Sequence, residues 1–416
     1  MRKLIINGGH ELDGEIKISG AKNSAVALIP AALLCDEKVT LYNVPNISDV
    51  DALEEILIHL GAKIDRKENN EVIISSSGVN NLPIHDELAK KLRASYYFMG
   101  ALLGKYKHVE MNFPGGCSIG KRPIDLHLKG FKALGAKISG DDNNIIIDAE
   151  ELVGNDIYLD FASVGATINI MFAAVRAKGT TIIKNADKEP EIPNIADYLN
   201  AMGAKIKGAG TDIITIEGVD YLHECTHTVL PDRIEAGTYI IIAAACAKKM
   251  VIKNIVPKHI DSLIEKLKEM NVNMKVGKDS ITIKESNNLK ATEIITLVYP
   301  GFPTDLQQVL ASLMVKANGE SSIEETIWEN RFLNLYELCK MGAKIEVNGS
   351  KAFIEGPTKL RGTEVNATDL RAGAGLIVAA LEAEGKTIIN NADYILRGYE
   401  NIVEKLKNVN ADIELV

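Results

Sequence analysis

The sequence lacks the long apolar runs that cross a membrane. Its longest run, Tyr239 to Ala247, is about half the ~20 residues that a membrane-spanning helix needs. The N-terminus, MRKLIINGG, has three apolar residues in a row, far fewer than the core of a signal peptide. We therefore expect a cytoplasmic protein without a membrane span.

Cysteine is also scarce. The five cysteines are widely spaced and form no Cys-x-x-Cys pair, which argues against zinc binding and redox chemistry. Free cysteines usually behave as small buried hydrophobic residues, and we expect this of Cys35, Cys246 and Cys339. The group His223, Cys225 and His227 has metal-ligand chemistry, but we interpret residues 223–227 as a solvated linker. No metal is expected.

Excess positive charge is missing too. A net charge of -9 and a pI near 5.5 argue against a protein that binds nucleic acid or an anionic membrane. Arginine is rare, with 10 Arg against 37 Lys. Because the planar guanidinium binds carboxylates and phosphates through paired hydrogen bonds, the ten arginines are candidate ligand contacts.

What the sequence does contain is a repeat built around the fragment Leu/Met-Gly-Ala-Lys-Ile. The fragment begins at positions 60, 134, 202 and 341, and weaker copies begin at 270 and 409. Successive copies are therefore 74, 68, 68, 71 and 68 residues apart. This spacing predicts six units of about seventy residues each.

Every unit shows the same expected elements: an apolar helix, a β-branched strand, a turn with Asn or Pro, an amphipathic helix, and a Gly-Ala turn into another strand. A helix that is apolar on all sides must be buried. We therefore predict an α/β fold with three units in each of two domains, helices inside and sheets outside. The domains are expected at residues 20–229 and at residues 1–19 plus 230–416, with the first ~20 residues supplying strands to the last unit.

Polar residues recur where the buried helices are expected to begin. They are Lys22, Asn23, Arg93, Ser163, Asp232, Asp305 and Arg371. Helix N-termini present free N–H groups and a positive dipole end, so several such ends with basic side chains would form an anion site. Helix capping explains Asn23 and Ser163 equally well. It explains the cations less well, because a cation at a helix N-terminus is unfavourable by roughly 0.3–1 kcal/mol.

A glycine-rich segment lies in the second unit. Residues 114–123 read PGGCSIGKRP, which is typical of an exposed, mobile loop. Lys121 and Arg122 would stabilise a thiolate at Cys117, so the loop predicts a reactive cysteine. The equivalent positions of units five and six carry Arg331 and Arg397.

At these residues the chain resembles the UDP-N-acetylglucosamine 1-carboxyvinyltransferases, within the wider enolpyruvyl transferase superfamily. The resemblance runs from end to end and is carried by residues 20–23, 92–95, 114–126, 163–167, 189–192, 231–238, 299–305, 328–331, 369–371 and 397–400. It implies that each domain is an inside-out α/β barrel and that the active site lies in the cleft between the domains.

The resemblance also implies an activity. Such an enzyme transfers the enolpyruvyl group of phosphoenolpyruvate to the 3′-hydroxyl of UDP-N-acetylglucosamine and releases phosphate, the first committed step of peptidoglycan synthesis. The reaction proceeds by addition and elimination through a tetrahedral ketal. Cys117 would protonate phosphoenolpyruvate and form a covalent adduct, and Asp305 would take the hydroxyl proton. No cofactor is implied, and the only implied partners are the two small-molecule substrates.

The implied site residues fall into three groups. Phosphoenolpyruvate contacts, of which Lys22 and Arg397 are also catalytic, are implied for Lys22, Asn23, Arg122, Arg331, Arg371 and Arg397. UDP-N-acetylglucosamine contacts are implied for Asn23, Arg93, Arg122, Pro123, Ile124, Asp125, Leu126, Ser163, Val164, Gly165, Asp305 and Ile327. Supporting roles are implied for Glu189, Asp232 and Asp369. The Cys117 loop would close as a lid, and the epoxide antibiotic fosfomycin would alkylate Cys117.

Two alternatives stay open. A related enzyme that uses shikimate 3-phosphate as acceptor shares the fold and the arginines, although that family lacks the Pro-Gly-Gly-Cys loop. A catalytically silent paralogue could bind UDP-N-acetylglucosamine and regulate the pathway, since a fold alone does not guarantee activity. One departure from the family is residues 95–98, SYYF, which are bulkier than expected for a buried helix.

Overall fold

The computed structural model describes residues 2–114 and 124–416. Over these residues the chain divides into two compact units. The first unit contains residues 20–114 and 124–230, and the second contains residues 2–19 and Pro231–Val416. Each unit has its own hydrophobic core.

The chain begins with two strands of the second unit, β1 (Leu4–Asn7) and β2 (Leu12–Lys17). The first unit then follows with α1 (Lys22–Ala31), β3 (Lys38–Tyr42), α2 (Ser48–His59), β4 (Lys63–Arg66), β5 (Val72–Ser75), α3 (Asp86–Ala89), α4 (Tyr97–Tyr106), β6 (His108–Asn112), α5 (Asp125–Ala133), β7 (Lys137–Gly140), β8 (Asn144–Asp148), β9 (Asp156–Tyr158), α6 (Val164–Ala174), β10 (Thr180–Lys184), α7 (Glu191–Ala201), β11 (Lys205–Lys207), β12 (Ile213–Glu217) and β13 (Cys225–Thr228).

The rest of the second unit comprises α8 (Arg233–Cys246), β14 (Ala247–Lys253), α9 (Asp261–Glu269), β15 (Met274–Val276), β16 (Ser280–Lys284), β17 (Glu293–Ile295), α10 (Thr304–Met314), β18 (Gly319–Glu324), α11 (Leu333–Lys340), β19 (Lys344–Asn348), β20 (Lys351–Gly356), β21 (Glu364–Asn366), α12 (Leu370–Glu382), β22 (Lys386–Asn390), α13 (Asp393–Leu396), α14 (Ile402–Lys407) and β23 (Asp412–Leu415). Short 3-10 helices lie at Ala32–Leu34, Arg93–Tyr96 and Pro257–Ile260.

The sheets share one topology. In the sheet β11-β12-β10-β9, β12 pairs antiparallel with β10 and β11, and β9 pairs parallel with β10. The same order recurs in β4-β5-β3-β13, β15-β16-β14-β2, β19-β20-β18-β17 and β23-β1-β22-β21. The sixth sheet, β7-β8-β6, has a parallel bridge between Ile84 and Met111 in place of the fourth strand. The six predicted repeats are confirmed, although no strand ladder among the described residues closes into a barrel.

The repeated sequence fragment forms a left-handed turn at the end of each amphipathic helix. Its glycine has a φ of +96° at Gly61, and equally positive values recur at Gly135, Gly203 and Gly342. In the two weaker copies the turn residue is Asn271 or Asn410, both with positive φ. Asparagine tolerates this conformation better than most residues, so the two weaker copies keep the same turn.

The apolar helices are buried, as predicted. Almost every residue of α6, α8, α10 and α12 is inaccessible to solvent. In the second unit α8, α10 and α12 pack against one another, and in the first unit α4 packs against α1 and α6. The helix α9 buries only Leu263, Ile264 and Leu267, as an amphipathic helix should. No helix in the described part of the chain combines the length and apolarity that a membrane crossing requires.

The N-terminal strands are divided between two repeats. The strand β1 pairs with β22 and β23 in the last repeat, as predicted, but β2 pairs in parallel with β14 in the fourth repeat. The prediction that the first ~20 residues all join the last repeat is therefore wrong for β2. The reason is that β13, which precedes the fourth repeat in the chain, pairs with β3 in the first repeat.

Two interpretations of the cysteines are also corrected. Residues 223–227 are not a linker, because Cys225 and His227 lie on β13, paired with β3. The His227 ring accordingly contacts Asn194, at 2.8 Å from Nε2 to Nδ2. Cys35 is buried as predicted, whereas Cys246 is only partly buried and Cys339 is exposed on α11. Within residues 2–114 and 124–416, no group of three His, Cys, Asp or Glu side chains could hold a metal ion.

Candidate active site

In the second unit, two arginines bind one carboxylate where α10 and α12 begin. Asp305 Oδ1 accepts a hydrogen bond of 2.8 Å from Arg331 Nη2, and its Oδ2 accepts one of 3.2 Å from Arg371 Nε. Both arginine side chains are at most 4% exposed, whereas Asp305 is 28% exposed. The carboxylate is therefore held from inside the unit and remains open to solvent on one side.

The Arg371 guanidinium also lies on an aromatic ring. Its carbon is 5.4 Å from the centre of the Tyr399 ring, and the Tyr399 hydroxyl is 2.8 Å from the Thr238 hydroxyl on α8. Burial disfavours the charged guanidinium, but Tyr399 and Asp305 outweigh this effect and raise the pKa of Arg371 above its usual range. Arg397 follows α13 and is half-buried two residues before Tyr399.

Two aspartates cap the neighbouring helices. Asp232 accepts hydrogen bonds from the first-turn amides of α8, and Asp369 does the same for α12. The second oxygen of Asp369 accepts a 3.1 Å hydrogen bond from the side-chain nitrogen of Gln308. The side-chain oxygen of Gln308 accepts a 3.4 Å hydrogen bond from Arg331 Nε. The predicted supporting residue Asp369 thus holds the start of α12, which carries Arg371, whereas Asp232 holds the start of α8.

Glu325 fixes the segment that leads to Arg331. This buried carboxylate accepts hydrogen bonds from the hydroxyls of Thr296 and Thr304, at 2.8 and 2.7 Å. It also accepts bonds from the backbone amides of residues 327 and 328, so Ile327 is held by its main chain. Sequence reasoning missed Glu325, because its partners come from three separate segments.

In the first unit, Lys22 opens α1 and pairs with a buried carboxylate. Its Nζ is 3.0 Å from Asp49 Oδ2, and the side chains of Lys22 and Asp49 are 16% and 4% exposed. Asn23 is the second residue of α1 and does not cap it. The expectation that these helix-end cations need an external anion is thus weakened, because Lys22 and Arg371 each have a carboxylate partner within the chain.

The remaining predicted residues of the first unit lie at helix starts. Ser163 caps α6 by accepting a hydrogen bond of 3.3 Å from the Ala166 amide, and Val164 and Gly165 form the first turn. Arg93 begins the 3-10 helix before α4, where burial lowers its pKa. Ile124 precedes α5, and Asp125 and Leu126 are its first two residues, with Asp125 exposed. Glu189 is half-buried just before α7, with its amide bonded to Asp187.

A neutral polar cluster in the first unit was not predicted. It consists of Asn169 on α6, His127 on α5 and Tyr96 at the end of the 3-10 helix. The Tyr96 and His127 rings meet edge to face at 4.9 Å. The bulky segment 95–98 is explained here, because Tyr96 lies before α4 and covers His127 while Tyr97 is buried. The sequence offered one signal for this cluster, because His127 directly follows the predicted contacts 122–126.

Three predicted site residues lie outside the described part of the chain. They are Cys117, Arg122 and Pro123. Their roles stay predictions from the sequence. The described residues nonetheless bring Asp305, Arg331 and Arg371 into direct contact, and they place Gly165 beside Tyr96 and His127.

Comparison with known proteins gives full-length matches. A sequence profile described as EPSP synthase (3-phosphoshikimate 1-carboxyvinyltransferase) matches residues 6–406. The chain is 51% identical to UDP-N-acetylglucosamine 1-carboxyvinyltransferase 2 of Bacillus cereus (strain ZK / E33L), over 99% of this chain and 96% of that protein. It is 53% identical to the protein of the same name from Listeria monocytogenes serovar 1/2a, over 99% of this chain and 97% of that protein.

Solved structures give the same fold. The enolpyruvyl transferase NikO from Streptomyces tendae superposes with a TM-score of 0.90 at 26% identity, over 100% of this chain and 99% of that one. EPSP synthase from Acinetobacter baumannii superposes with a TM-score of 0.78 at 19% identity, over 100% of both chains, and this likeness concerns the fold alone. Since profile, relatives and fold agree over nearly the whole sequence, the chain belongs to the enolpyruvyl transferases of the EPSP synthase family, among the UDP-N-acetylglucosamine 1-carboxyvinyltransferases.

Proposed function

We propose that this protein transfers the enolpyruvyl group of phosphoenolpyruvate to the 3′-hydroxyl of UDP-N-acetylglucosamine and releases phosphate. The reaction would be the first committed step of peptidoglycan synthesis and would take place in the cytoplasm. Its partners are the two small-molecule substrates.

The observation that carries the proposal is the arginine cluster of the second unit. Asp305 is bound by Arg331 and Arg371 through separate oxygens, and the two guanidinium groups bring one more positive charge than the carboxylate neutralises. Such a cluster suits a small anion with a planar carboxylate, which is what phosphoenolpyruvate offers. Arg331 and Arg371 bind that carboxylate, and Lys22, Arg122 and Arg397 bind the phosphate. Asn23 contacts both substrates.

The chemistry follows from these roles. The oxygen of the 3′-hydroxyl bonds to C2 of phosphoenolpyruvate while Asp305 accepts the hydroxyl proton. Cys117 donates a proton to C3. The resulting tetrahedral ketal loses a proton from C3, the double bond re-forms, and the bond from C2 to the phosphate oxygen breaks. Basic side chains stabilise the negative charge that develops on the departing phosphate. A positioned acid and base contribute roughly 10²–10⁴-fold to the rate.

The acceptor is held mainly by the first unit. Helix α6 begins at Val164 behind the Ser163 cap, and its N–H groups at residues 164 and 165 suit an anionic or carbonyl oxygen. Arg93 and residues 122–126 complete the contacts with the nucleotide. Ile327 and Asp305 contact the sugar from the second unit, with Ile327 held by Glu325.

One competing function has an observation in its favour. The matching profile is described by the name of the shikimate 3-phosphate enzyme, so that acceptor has to be tested directly. We would measure phosphate release from phosphoenolpyruvate with either acceptor, in the wild type and in Cys117→Ser. Release with the sugar nucleotide alone, much reduced in the variant, supports the proposal. Release with shikimate 3-phosphate overturns the acceptor, and release with neither favours a silent binder.

Fosfomycin gives a second test of Cys117. The protein is incubated with the antibiotic and UDP-N-acetylglucosamine, and its intact mass is measured. One adduct is expected in the wild type and in Cys339→Ser, and none in Cys117→Ser. Cys339 is the matched control because it is an exposed thiol on α11. An adduct that disappears in Cys339→Ser would contradict the assignment.

A further inference from the structure

Helix α6 contains a single buried amide among apolar residues. Asn169 is fully buried between Ile168 and Ile170. Its Oδ1 accepts a hydrogen bond of 2.8 Å from the Gly100 amide, and its Nδ2 donates one of 3.1 Å to the Tyr96 carbonyl. The close approach depends on glycine, because a Cβ on Gly100 would lie 2.4 Å from the Asn169 carbonyl oxygen. A buried polar group with this many bonds has a specific role in the packing.

The orientation of the Asn169 amide is fixed by the backbone. A backbone N–H can only donate and a backbone carbonyl can only accept, so Oδ1 must face Gly100 and Nδ2 must face Tyr96. The second hydrogen of Nδ2 points to His127 Nδ1, 2.8 Å away. Because that contact needs an acceptor, Nδ1 carries no proton and the proton of the neutral ring lies on Nε2.

His127 Nε2 lies beside the N-terminal turn of α6. A Cβ built on Gly165 would be 3.2 Å from Nε2 and 2.9 Å from the Tyr96 hydroxyl. The Arg93 guanidinium is close enough to affect the ring, and burial, followed by Arg93, lowers the pKa of His127 to about 3. The Nε2–H donor and the Tyr96 hydroxyl therefore lie beside the turn that carries the first amide donors of α6.

We propose that Asn169 is a positioning residue that holds His127 as the neutral Nε2–H tautomer, so that Nε2 donates a hydrogen bond to an acceptor oxygen of the nucleotide sugar at the start of α6. The identity of the ligand rests on the proposed function. The tautomer does not, because Asn169, Gly100 and Tyr96 determine it without any ligand.

The first experiment measures the tautomer in the protein without ligand. Two-bond ¹H–¹⁵N correlation spectra of histidine-labelled protein report which ring nitrogen is protonated, and His127→Gln assigns the signal. We expect protonated Nε2 and unprotonated Nδ1, unchanged between pH 8 and pH 5. A signal with protonated Nδ1, or a ring that gains a proton over this range, would overturn the proposal.

The second experiment separates a hydrogen-bond donor from a space-filling ring. In His127→Gln the amide nitrogen can occupy the position of Nε2, whereas in His127→Asn it can reach only the position of Nδ1. The KM for UDP-N-acetylglucosamine should rise about tenfold in His127→Asn, which is the size of one lost hydrogen bond. In His127→Gln it should stay within about threefold of the wild-type value. The KM for phosphoenolpyruvate should not change. Equal effects in both variants would contradict the proposal.

A third variant acts through Asn169 itself. Asn169→Asp has the same shape but cannot donate, so its carboxylate would draw the His127 proton to Nδ1. We expect the KM for the sugar nucleotide to rise and the ¹⁵N signals of the ring to change together. His108→Asn is the control, because His108 is an exposed histidine on β6 paired with Asp148. If Asn169→Asp does not fold, the tautomer spectrum of the wild type and the two variants His127→Gln and His127→Asn still test the proposal. Wild-type protein without turnover would contradict the proposed function and leave the tautomer result standing.

Discussion

The two units use one architecture for two kinds of polar chemistry. In the second unit the buried helices begin in a charged cluster, where Asp305 binds Arg331 and Arg371. In the first unit α4 and α6 begin beside a neutral network of Asn169, His127 and Tyr96. Five of the six sheets, two in the first unit and three in the second, have the same strand order. The repeat therefore determines where polar side chains meet, and the individual residues determine what they can bind.

A common packing device supports both clusters. In the first unit a Cβ on Gly100 would lie 2.4 Å from the Asn169 carbonyl oxygen, and in the second a Cβ on Gly375 would lie 2.5 Å from the Gln308 carbonyl oxygen. Each glycine lets two buried helices approach at a residue with a side-chain amide. Gln308 then bonds to Asp369, whereas Asn169 bonds to His127. The two units thus have the same kind of glycine contact between helices and differ in the residue that the side-chain amide contacts.

The largest effect is expected from removing the charge at the centre of the second-unit cluster. Asp305→Asn can no longer take the hydroxyl proton and leaves Arg331 and Arg371 without their carboxylate. We expect kcat to fall by roughly 10²–10⁴-fold, measured by phosphate release. Glu355→Gln is the matched control, because this exposed carboxylate of the same unit pairs with Lys344 on the surface. If Asp305→Asn kept a tenth or more of the wild-type kcat, Asp305 would not be the base that takes the hydroxyl proton.

The two glycines give the next largest effect. Gly100→Ala and Gly375→Ala should each lower the free energy of unfolding by roughly 1–3 kcal/mol, because the backbone opposite has to move. Chemical denaturation measures this loss. The kinetic consequences should differ, with the KM for the sugar nucleotide rising in Gly100→Ala and the KM for phosphoenolpyruvate rising in Gly375→Ala. The same KM changing in both variants would contradict the division of roles between the units.

Opposite pH responses should distinguish the units more finely. Burial and Arg93 lower the pKa of His127 to about 3, so its contribution to stability is present above pH 6.5 and is lost as the pH falls. In the second unit, Glu235 is buried in the first turn of α8 and pairs with Lys405 at 2.6 Å. Burial raises the pKa of Glu235 to about 7 although Lys405 opposes this, so its contribution is present below pH 4.5 and is lost as the pH rises towards 7. Each effect is at most about 1.4 kcal/mol per pH unit.

Urea unfolding between pH 4 and pH 7.5 measures these responses. Relative to the wild type, His127→Gln should lose less stability on acidification, and Glu235→Gln should lose less stability as the pH rises. If both variants changed the pH dependence of the unfolding free energy in the same direction relative to the wild type, the pKa of one of the two groups would not be shifted as described.

The smallest effect is expected at the surface, where the units should not differ. Lys184 pairs with Asp156 in the first unit and Lys344 with Glu355 in the second, and all four side chains are at least 44% exposed. Asp156→Asn and Glu355→Gln should each change the free energy of unfolding by about 0.5 kcal/mol or less. A larger change in thermal or urea unfolding for one of them would mean that its sheet depends on that pair.

Much of the fold could be predicted from the sequence because its signals are local and repeated. The spacing of the Gly-Ala fragment predicts six repeats, and the starts of the buried helices lie within a few residues of their expected positions. The errors concern long-range strand pairing. The strands β2 and β13 join repeats that are distant in sequence, and no local pattern in either strand identifies its partner.

The candidate site was predictable to a smaller extent. The repeat singled out Asp305, Arg331 and Arg371 and the resemblance implied their roles, but neither revealed that Asp305 contacts both arginines. Glu325 and Asn169 were missed, because each acts through backbone groups of separate segments. Sequence patterns name residue types at positions, whereas a buried hydrogen bond also requires a matched partner at the correct distance.

By itself, the sequence determined the left-handed turns, the buried helices and the repeat that unites them, since these depend on φ preferences and on apolar periodicity along the chain. The tertiary structure alone decided the polar contacts. Asp305 reaches Arg371 across 66 residues and Asn169 reaches His127 across 42. These contacts exist only once helix packing has removed water from the groups and brought each donor to its acceptor.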